Sequence, residues 1–591
     1  MKLNKFLLAA LAAASLTACS DSTDVEKGNG AQWNSDGTGY VSLSLNLPTT
    51  KSTGMRAAND QFNDGTADEY KVNDVMLILF QGKDEANADF VAAYKLSNVF
   101  DKESTTGNIT ATSKLTRKIK AIDDKKNQLY AYVAINSNNV LSTTNAGGDD
   151  IENTSLTING STTAFSGNFT KFLQQTTENG NKSANFFMGN APLANASGSV
   201  HTLSTIDASM IKNSAAEAAK APAAEVYVER AVAKVTLQNT ASKNTIENIT
   251  ASATAPKWTI EGWTLDNTRT NTQIVRNVQG FSTWNAYTTN AGRFKGTTAV
   301  DAASNYFRTY WAYDGANSQY TLWNDAAATN PFNRVVETEV TGNISNPQYC
   351  FENTFDVANM TYKNTTRALV KVHIGETTDT KNKFMYNEDY ATYANLSDIN
   401  NKLAEKIKGL TAVEAVNTSK ADIEDITFDY YAHKNDKATV KTEPEARYYA
   451  LKSFKINSTV YSEESTDTSV KALFELVRDY FGRISIYRGG DCYYQILIKH
   501  FGDDLTPWSG NNSENTPTTG KIYPGGDEAF LGRYGVLRNN WYNLNITGIN
   551  KIGTPDITVP DNTPDDNLDS YISVKINVLS WAKRTQDVTL Q

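Results

Sequence analysis

Apolar and polar residues alternate along many segments of the chain. Val41, Leu43, Leu45 and Leu47 alternate with serine and asparagine, which places these apolar side chains on one face of an extended strand. Similar segments recur at residues 75–80, 129–135, 226–228, 233–237, 368–374, 493–498 and 572–578. Because Thr, Asn, Tyr and Gly are abundant between them, we expect strands joined by surface turns. The pattern predicts a mainly β fold made of β-sandwiches, with minor helix.

Two segments follow helical spacing instead. In residues 395–409, Ile399, Leu403 and Ile407 make one apolar stripe, and Gly409 is a stop signal. The second helix is predicted at residues 470–481.

Two stretches of biased composition divide the chain. Residues 215–224 are rich in alanine and precede Glu229 and Arg230, so we expect a domain boundary there. Residues 553–569 hold three prolines among Asp and Asn, and they predict a tether in front of the last strand.

Composition and charge exclude several classes of protein. The length of 591 residues is enough for more than one domain with sizeable cores. The balance of 65 acidic against 56 basic side chains argues against nucleic-acid binding, which needs clustered Lys and Arg. Three cysteines cannot form a disulfide framework for this length, and four widely separated histidines argue against a multi-histidine metal centre.

The N-terminus has the pattern of a lipoprotein signal. Two lysines precede the apolar run 6–16, which is too short to span a bilayer. The four residues that end at Cys19 resemble the bacterial lipoprotein cleavage box, in which the cysteine is lipidated and becomes the new N-terminus. We therefore expect a signal peptide over residues 1–18, a lipid such as palmitate on Cys19, and a polar tether over 20–36. The alternative is an ordinary signal peptide with a cysteine near the cut by chance.

A search for chemistry finds no candidate catalytic residue, metal ligand or cofactor site. The motifs HExxH, GxSxG and the Walker loop do not occur in the sequence. The acidic residues Asp64, Asp68, Glu69 and Asp74 lack the spacing of a calcium loop, and we interpret them as a solvated turn.

Two pairs of residues leave alternatives open. Trp258 and Trp263 could stack on a sugar, although packing in a sandwich core is favoured. Cys350 and Cys492 could form a disulfide in an oxidising compartment or remain two small buried residues, and the sequence favours neither.

The strand at 41–47 is followed by a connector that a protease could cut. Residues 48–59 are rich in Thr, Ser and Gly and offer Lys51 and Arg56 to a trypsin-like or Arg-specific enzyme. A cut after Arg56 would remove the lipid and one complete strand, and a sandwich that loses a strand exposes apolar pockets and unpaired backbone groups. The alternative is an ordinary exposed loop.

The C-terminus supplies a strand that could fill such a groove. It carries apolar residues in alternation and two more beyond them: Ile572, Val574, Ile576, Val578, Val588 and Leu590. A tethered strand and a vacated groove are the two halves of donor-strand complementation. Because donor and groove differ, copies would join head to tail and form a filament.

Five segments carry a family resemblance, and they occur in order along most of the chain: residues 71–75, 228–235, 352–354, 538–547 and 578–581. The fourth is similar to the pattern R-x-N-x-Y-x-x-x-I, and the fifth is similar to V-x-x-W. With the lipoprotein box, they resemble the Bacteroidales fimbrillins, the subunits of type V pili, and most of all the major subunit of the short (minor) fimbriae.

The resemblance implies a domain organisation. It implies two β-sandwich domains of transthyretin-like, Greek-key type, a removable strand in a lipidated propeptide, and a C-terminal donor strand. The corresponding ranges in this sequence are 19–56 for the propeptide, 57–229 and 230–570 for the domains, and 571–591 for the donor segment. The helical insertion at 395–409 lies outside what the resemblance explains.

The resemblance also implies processing. An Arg-specific surface protease would cut between Arg56 and Ala57 and release the strand 41–47. The precursor would cross the periplasm as an outer-membrane lipoprotein, held by its lipid before cleavage.

The implied function is that of a structural, non-enzymatic subunit of a cell-surface fimbria that supports adhesion and virulence. Its partners would be other copies of itself and accessory anchor and tip subunits, with no cofactor and no nucleic acid. The alternatives are a lipid-anchored lipoprotein that binds glycan, a tip or anchor subunit, and an enzyme such as a glycosidase. Since tip subunits usually lack a usable donor strand, the C-terminal strand favours a stalk subunit.

Overall fold

The computed structural model of the protein describes residues 25–27, 30–46, 66–69, 71–96, 112–122, 127–137, 139–180, 182–246, 256–287, 293–301, 305–313, 332–385, 395–409, 423–437, 439, 442, 445–501, 523, 527–566 and 572–580. The first strands are β1 Val25–Lys27, β2 Ala31–Trp33, β3 Thr38–Asn46, β4 Val75–Gly82, β5 Asp89–Leu96, β6 Thr112–Lys120, β7 Gln128–Ile135, β8 Leu141–Thr143, β9 Leu156–Ile158, β10 Thr176–Thr177, β11 Met188–Asn190, β12 Leu193–Ala194, β13 Val200–His201, β14 Ser204–Ile206 and β15 Ala224–Arg230. The later strands are β16 Val232–Asn239, β17 Trp258–Asp266, β18 Thr268–Arg269, β19 Thr272–Gln273, β20 Lys295–Asp301, β21 Tyr306–Thr309, β22 Phe332–Asn333, β23 Gln348–Phe351, β24 Arg367–Ile374, β25 Lys383–Met385, β26 Ile423–Tyr431, β27 Tyr448–Ile456, β28 Thr459–Ser462, β29 Arg483–Tyr487, β30 Asp491–Leu497, β31 Asn540–Ile549 and β32 Ile572–Ser580.

The helices of the described residues are short. They are α1 Phe169–Leu173, α2 Ala215–Ala218, α3 Phe281–Ala286, α4 Leu396–Lys408 and α5 Thr468–Phe481. None of these helices is both long and apolar enough to cross a membrane. The predicted fold class, mainly β with several sheets and minor helix, is confirmed.

The chain divides into two compact units that are not continuous in sequence. Unit 1 consists of Met1–Leu47, Val72–Phe172 and Thr202–Val228. Unit 2 consists of Pro48–Lys71, Leu173–His201 and Glu229–Gln591. The predicted domains, 57–229 and 230–570, are continuous ranges and stay a prediction about the mature subunit.

Unit 1 contains two groups of paired strands. In one group β3 lies between β6 and β15, and in the other β4 lies between β5 and β7. Strand β14 pairs with the end of β7. Helix α1 packs Phe169 and Phe172 on Phe80 of β4, with ring centroids 5.5 and 5.6 Å apart. These aromatic contacts make an apolar core beneath β4, which supports the predicted sandwich character.

Unit 2 contains a sandwich of two sheets that share one core. The first sheet has the order β23–β16–β31–β32, and the second has the order β17–β24–β30. Both contribute buried side chains to one cluster, among them Val235 and Leu544 from the first sheet and Trp263 and Val370 from the second. The alternating segments at 233–237, 368–374 and 493–498 supply three of these strands, as the sequence predicts.

The helical insertion belongs to a larger module between the neighbouring strands β24 and β30. Its sheet has the order β25–β29–β27–β26, with β28 on β27, and α4 and α5 pack with it around a separate apolar core. The predicted stripe of Ile399, Leu403 and Ile407 is fully buried in that core. The Asn395 side chain accepts a hydrogen bond from the backbone N–H of Asp398 and starts the helix. The sequence therefore identified both helices of the module, α4 and α5, but not its sheet.

The prediction of a tether over 553–569 is wrong for residues 553–566. We call residues 551–566 the strap. The backbone N–H of Tyr493 donates to the Thr554 carbonyl at 2.8 Å, and the N–H of Tyr362 donates to the Thr563 carbonyl at 2.8 Å. Asp556 and Asp565 are buried within unit 2. The composition predicted a tether wrongly because Asp and Pro also occur in packed segments whose polar groups form hydrogen bonds with neighbouring residues.

Candidate functional site

The strand that the sequence marks as removable lies inside a sheet. Strand β3 pairs antiparallel with β6 along its whole length, and its second half pairs in parallel with β15. We call β6 and β15 on either side of β3 the strand seat. If β3 left, both neighbours would lose a ladder of backbone hydrogen bonds, and the seat would offer unpaired groups on two sides.

Both faces of β3 are buried. Val41, Leu43 and Leu45 are fully buried, as the alternation predicts. Ser42 and Ser44, on the opposite face, are only 0% and 3% exposed, which the alternation did not predict. Helix α2 packs against β3 and β6, so the alanine-rich stretch expected at a domain boundary helps to cover this strand.

The residues just before β3 are also held in place. Ala31 and Trp33 are fully buried, and the backbone N–H of Gln32 donates to the Ile211 carbonyl at 3.0 Å. The expectation of a polar tether over 20–36 is therefore wrong for the part from Ala31 onward. The only available signal was one tryptophan in a polar stretch, because such a large apolar ring is seldom left in water.

Several predicted site residues lie outside the described residues. They are the lipidation site Cys19, the cleavage site Arg56 and Ala57, Leu47 at the end of the removable strand, and Val588 and Leu590. Lipidation and cleavage at these positions stay predictions.

The chain is fixed again soon after the predicted cleavage site, in a segment that we call the clamp (Thr66–Glu69). Glu69 is buried, and its Oε1 atom lies 2.7 Å from Lys234 Nζ and accepts a hydrogen bond of 2.5 Å from Tyr349. Arg230 Nε donates to the Glu69 carbonyl at 2.9 Å. The ammonium of Lys234 also lies 3.9 Å from the centre of the Trp541 ring.

The clamp corrects the interpretation of the acidic residues as a solvated turn for Glu69, whereas Asp68 is exposed as expected. Burial alone would raise the pKa of Glu69, but hydrogen bonds from Lys234 and Tyr349 lower the pKa below its usual value. Glu69 is therefore a charged, buried partner of Lys234. No sequence signal could have revealed the pair, because 165 positions separate a charged residue from a partner of ordinary type.

Three of the five segments of the family resemblance meet in unit 2. Arg230 donates to Asn539 Oδ1 at 3.3 Å, and the backbone N–H of Arg538 donates to Glu352 Oε2 at 3.1 Å. Asn353 donates to the Thr366 hydroxyl at 2.9 Å. The first two contacts join residues that are 309 and 186 positions apart, so they connect three of the segments within unit 2.

The C-terminal strand pairs within its own chain. Strand β32 is antiparallel to β31 from Ile572 opposite Ile549 to Ser580 opposite Asn540. Ile572, Val574, Ile576 and Val578, predicted as donor residues, thus belong to an edge strand of unit 2. Their insertion into a neighbouring copy is not the arrangement present here and stays a prediction about an assembled state.

One group of side chains has ligand types that could hold a metal ion. Ligand atoms of Glu261, His373 and Asp491 lie within 4.8 Å of one another. Lys371 Nζ, however, lies 2.9 Å from Glu261 Oε2 and 2.8 Å from Asp491 Oδ2. Burial would lower the pKa of Lys371, but these two carboxylates raise it above the usual value. The group is therefore an ion-paired cluster in which the lysine already supplies the positive charge.

The two open alternatives of the sequence are resolved by burial. Trp258 and Trp263 are both fully buried in the sandwich core, so they cannot form a sugar-binding platform on the surface. Cys350 and Cys492 are free, buried thiols on β23 and β30, which agrees with the second alternative, two small buried residues. Burial raises the pKa of each thiol to about 12, which makes both unreactive.

These features define a mainly β protein in which the strand predicted to be removable, β3, is buried and the last strand described, β32, is paired within its own chain. Residues 521–587 match the family described as major fimbrial subunit protein type IV, fimbrillin, C-terminal. The match covers only this part of the chain, and there it agrees with the resemblance to fimbrillins that the sequence predicts.

Solved structures of related kind were also found. One is a candidate cell adhesion protein from Parabacteroides distasonis, with 10% identity, a TM-score of 0.34, and coverage of 92% of this chain and 98% of that chain. Another is the tip fimbrial protein Mfa3 from Porphyromonas gingivalis with C-terminal truncation, with 11% identity, a TM-score of 0.27, and coverage of 92% of this chain and 100% of that chain. No relative was found among curated protein sequences.

Proposed function

We propose that this protein is a structural, non-enzymatic subunit of a cell-surface fimbria, of the kind that forms the stalk of short fimbriae, and that it polymerises by donor-strand exchange after proteolysis. The observation that carries the proposal is the position of β3. It is the strand that the predicted cut would release, and it lies between two strands that would both lose a partner. The fimbrillin match of residues 521–587 supports the fimbrial role.

The free energy that is lost when β3 leaves the strand seat supports the need for a replacement strand. Burial of a Val or Leu side chain contributes roughly 1.5–3 kcal/mol. Val41, Leu43 and Leu45 are all fully buried, and the hydrogen bonds to β6 and β15 are added to their contribution. A subunit that lost β3 without a replacement would therefore be much less stable, whereas a strand from a second copy would restore these contacts.

A cut in the connector would free only the segment on its N-terminal side. Upstream, the chain is held in unit 1 by β3, and downstream it is held in unit 2 by the clamp, through Glu69 and Lys234. A cut after Arg56 would free β3 together with Cys19, while the clamp would keep the new N-terminal region on the mature subunit. The same cut would then release the subunit from its outer-membrane lipid.

We propose that the donor lies beyond β32, in residues 581–591, which include Val588 and Leu590. Strand β32 pairs with β31 over its whole length. If β32 left to enter a neighbouring copy, the first sheet of unit 2 would lose its edge strand. The partners in this scheme are further copies, anchor and tip subunits, and an Arg-specific surface protease.

The test is the N-terminal sequence and intact mass of fimbrial protein sheared from cells. We expect a mature chain that begins at Ala57 and lacks the lipid of Cys19, and we expect Arg56→Ala to accumulate as a lipidated monomer. Lys51→Ala is the matched control and should assemble normally. Fimbriae that retain Cys19, or normal assembly of Arg56→Ala, would overturn the proposal.

A further inference from the structure

We propose that Trp33 anchors the N-terminal segment (residues 30–46) on unit 1 after the connector has been cut, and that its surroundings are a binding site for an aromatic side chain. The inference rests on the proposed function, in which the segment leaves after proteolysis. It adds that cleavage and release are separate steps. The dissociation of the Trp33 indole ring limits the rate of release.

The ring of Trp33 fits over a glycine. A Cβ atom placed on Gly39 would lie 2.7 Å from Trp33 Cε3 and 3.1 Å from Ile211 Cγ2, both too close for ordinary contact. The ring therefore lies directly on the backbone of β3 and against Ile211. Gly39 belongs to the same segment as Trp33, so Ile211 is the part of this contact that would stay behind. Trp33 is 0% exposed, and all its neighbours together remove the ring from water.

Backbone hydrogen bonds hold the segment at the same place. The N–H of Gln32 donates to the Ile211 carbonyl at 3.0 Å. Tyr40 and Lys212 exchange two backbone hydrogen bonds of 2.7 and 3.0 Å. Between them the chain turns back on itself, with the Asn34 N–H donating to the Thr38 carbonyl at 2.7 Å. Trp33 and β3 are thus fastened to the same loop of unit 1 and would have to leave together.

A cavity of about 340 Å³ lies beside the ring. Trp33 forms one wall, and the other walls include Gln128, Leu129, Asp207 and Ile211. These other walls do not belong to the N-terminal segment, so they would remain when the segment leaves. The loss of Trp33 would join its volume to the cavity and leave a concave site for a large apolar side chain.

Shape, and not polarity, holds the indole. The Trp33 Nε1 atom is buried and has no hydrogen-bond partner among the residues that the structure describes. Because an unpaired buried N–H group is a cost, the binding energy must come from contact of the ring. The site should therefore accept phenylalanine almost as well as tryptophan.

The experiment measures how long the cut segment stays bound. Purified full-length protein is cut briefly with an Arg-specific protease, and the N-terminal fragment that remains with the larger fragment is followed by gel filtration and intact mass. We expect slow loss from the wild type and roughly 100-fold faster loss from Trp33→Ala, the size expected for deletion of a buried large side chain. Trp33→Phe should stay within roughly tenfold of the wild type, and Ser35→Ala, an exposed change in the same segment, should match it.

Gly39→Ala tests the geometry without removing the ring. Its new methyl group should displace the Trp33 ring and speed release of the fragment, and in a Trp33→Ala background the same substitution should have a much smaller effect, since the clash with the ring is gone. Near-ultraviolet circular dichroism of the uncut chains checks folding. If Trp33→Ala fails to fold, Trp33→Phe and Gly39→Ala still decide the question.

The outcomes separate this inference from the proposed function. Equal release rates for Trp33→Ala and Ser35→Ala, or equal effects of Gly39→Ala in both backgrounds, overturn the anchor. A wild-type fragment that never leaves in the presence of other cut copies contradicts the proposed strand exchange. Faster release from Trp33→Ala together with earlier polymer growth supports both.

Discussion

The first part of the N-terminal segment (residues 30–36) and the strap both resemble linkers in sequence, yet different contacts hold them. The N-terminal segment is fixed by apolar side chains and backbone hydrogen bonds, through Trp33, Leu43 and the ladder to β6. The strap is also held by backbone hydrogen bonds, but buried charged groups take the place of apolar side chains there. Arg367, fully buried, binds Asp266 at 2.7 Å and donates to the Thr558 carbonyl of the strap at 2.9 Å.

The difference teaches which contacts can be exchanged. Apolar contacts and backbone hydrogen bonds can be restored by any strand of similar shape, so a segment held by them can be replaced. A buried ion pair is specific, because removal of one partner leaves an uncompensated charge in the interior. The first kind suits a temporary strand, and the second suits a permanent one.

The largest expected effect is at Arg367 of β24, the buried arginine that binds the strap. Arg367→Ala should lower the free energy of unfolding of unit 2 by about 3–5 kcal/mol, because Asp266 would stay buried without its cation. Denaturant unfolding followed by tryptophan fluorescence measures the loss. Arg478→Ala, which removes a partly exposed arginine from the module, should change stability by about 0.5 kcal/mol or less. If Arg367→Ala and Arg478→Ala lost similar amounts of unfolding free energy, the distinction between the strap and the N-terminal segment would not hold.

The next effect is in β3, and it should depend on cleavage. Leu43→Ala should destabilise the uncut protein by about 2–5 kcal/mol, because it empties a buried site. Once the segment has been cut and replaced by a neighbour's strand, the same substitution should have no effect on the polymer. The matched control is Leu476→Ala, since that leucine is 46% exposed. A loss of polymer stability in Leu43→Ala would show that the segment remains in place.

The smallest effect concerns pH. His433 Nδ1 lies 2.7 Å from Oδ2 of Asp556 in the strap, and the hydrogen bond to Asp556 raises the pKa of His433 above its usual value of 6.5. Since the folded state binds this proton more tightly, the contact stabilises fully below pH 6.5 and is lost as the pH rises through the raised pKa.

His433 is half-exposed, so solvent screens the contact, and we expect it to contribute about 0.5 kcal/mol or less. Thermal unfolding of the wild type and His433→Ala between pH 5 and 9 should differ only at the acidic end of that range. If the wild type and His433→Ala differed by the same amount at every pH, the contact would stabilise through packing and not through charge.

The sequence predicted features that depend on local pattern and missed those that depend on distant partners. The alternation at 41–47 located β3, and the stripe around Leu403 located α4, because both patterns report burial of one face. The burial of Ser42, the packed strap and the pairing of Glu69 with Lys234 depend on residues far away in the chain. Single-sequence patterns carry no information about such contacts.

The pairing of β3 has a consequence for how a filament could grow. One neighbour runs antiparallel to β3 and the other runs parallel, and the two ladders space their hydrogen bonds differently. A strand inserted in the direction of β3 would restore both ladders as they are. Every subunit added by such exchange would point the same way, so the fibre would have two chemically distinct ends. A population of fibres of any length would then carry one open end of each kind per fibre, and a molecule that blocks one kind of end would stop growth from that end alone.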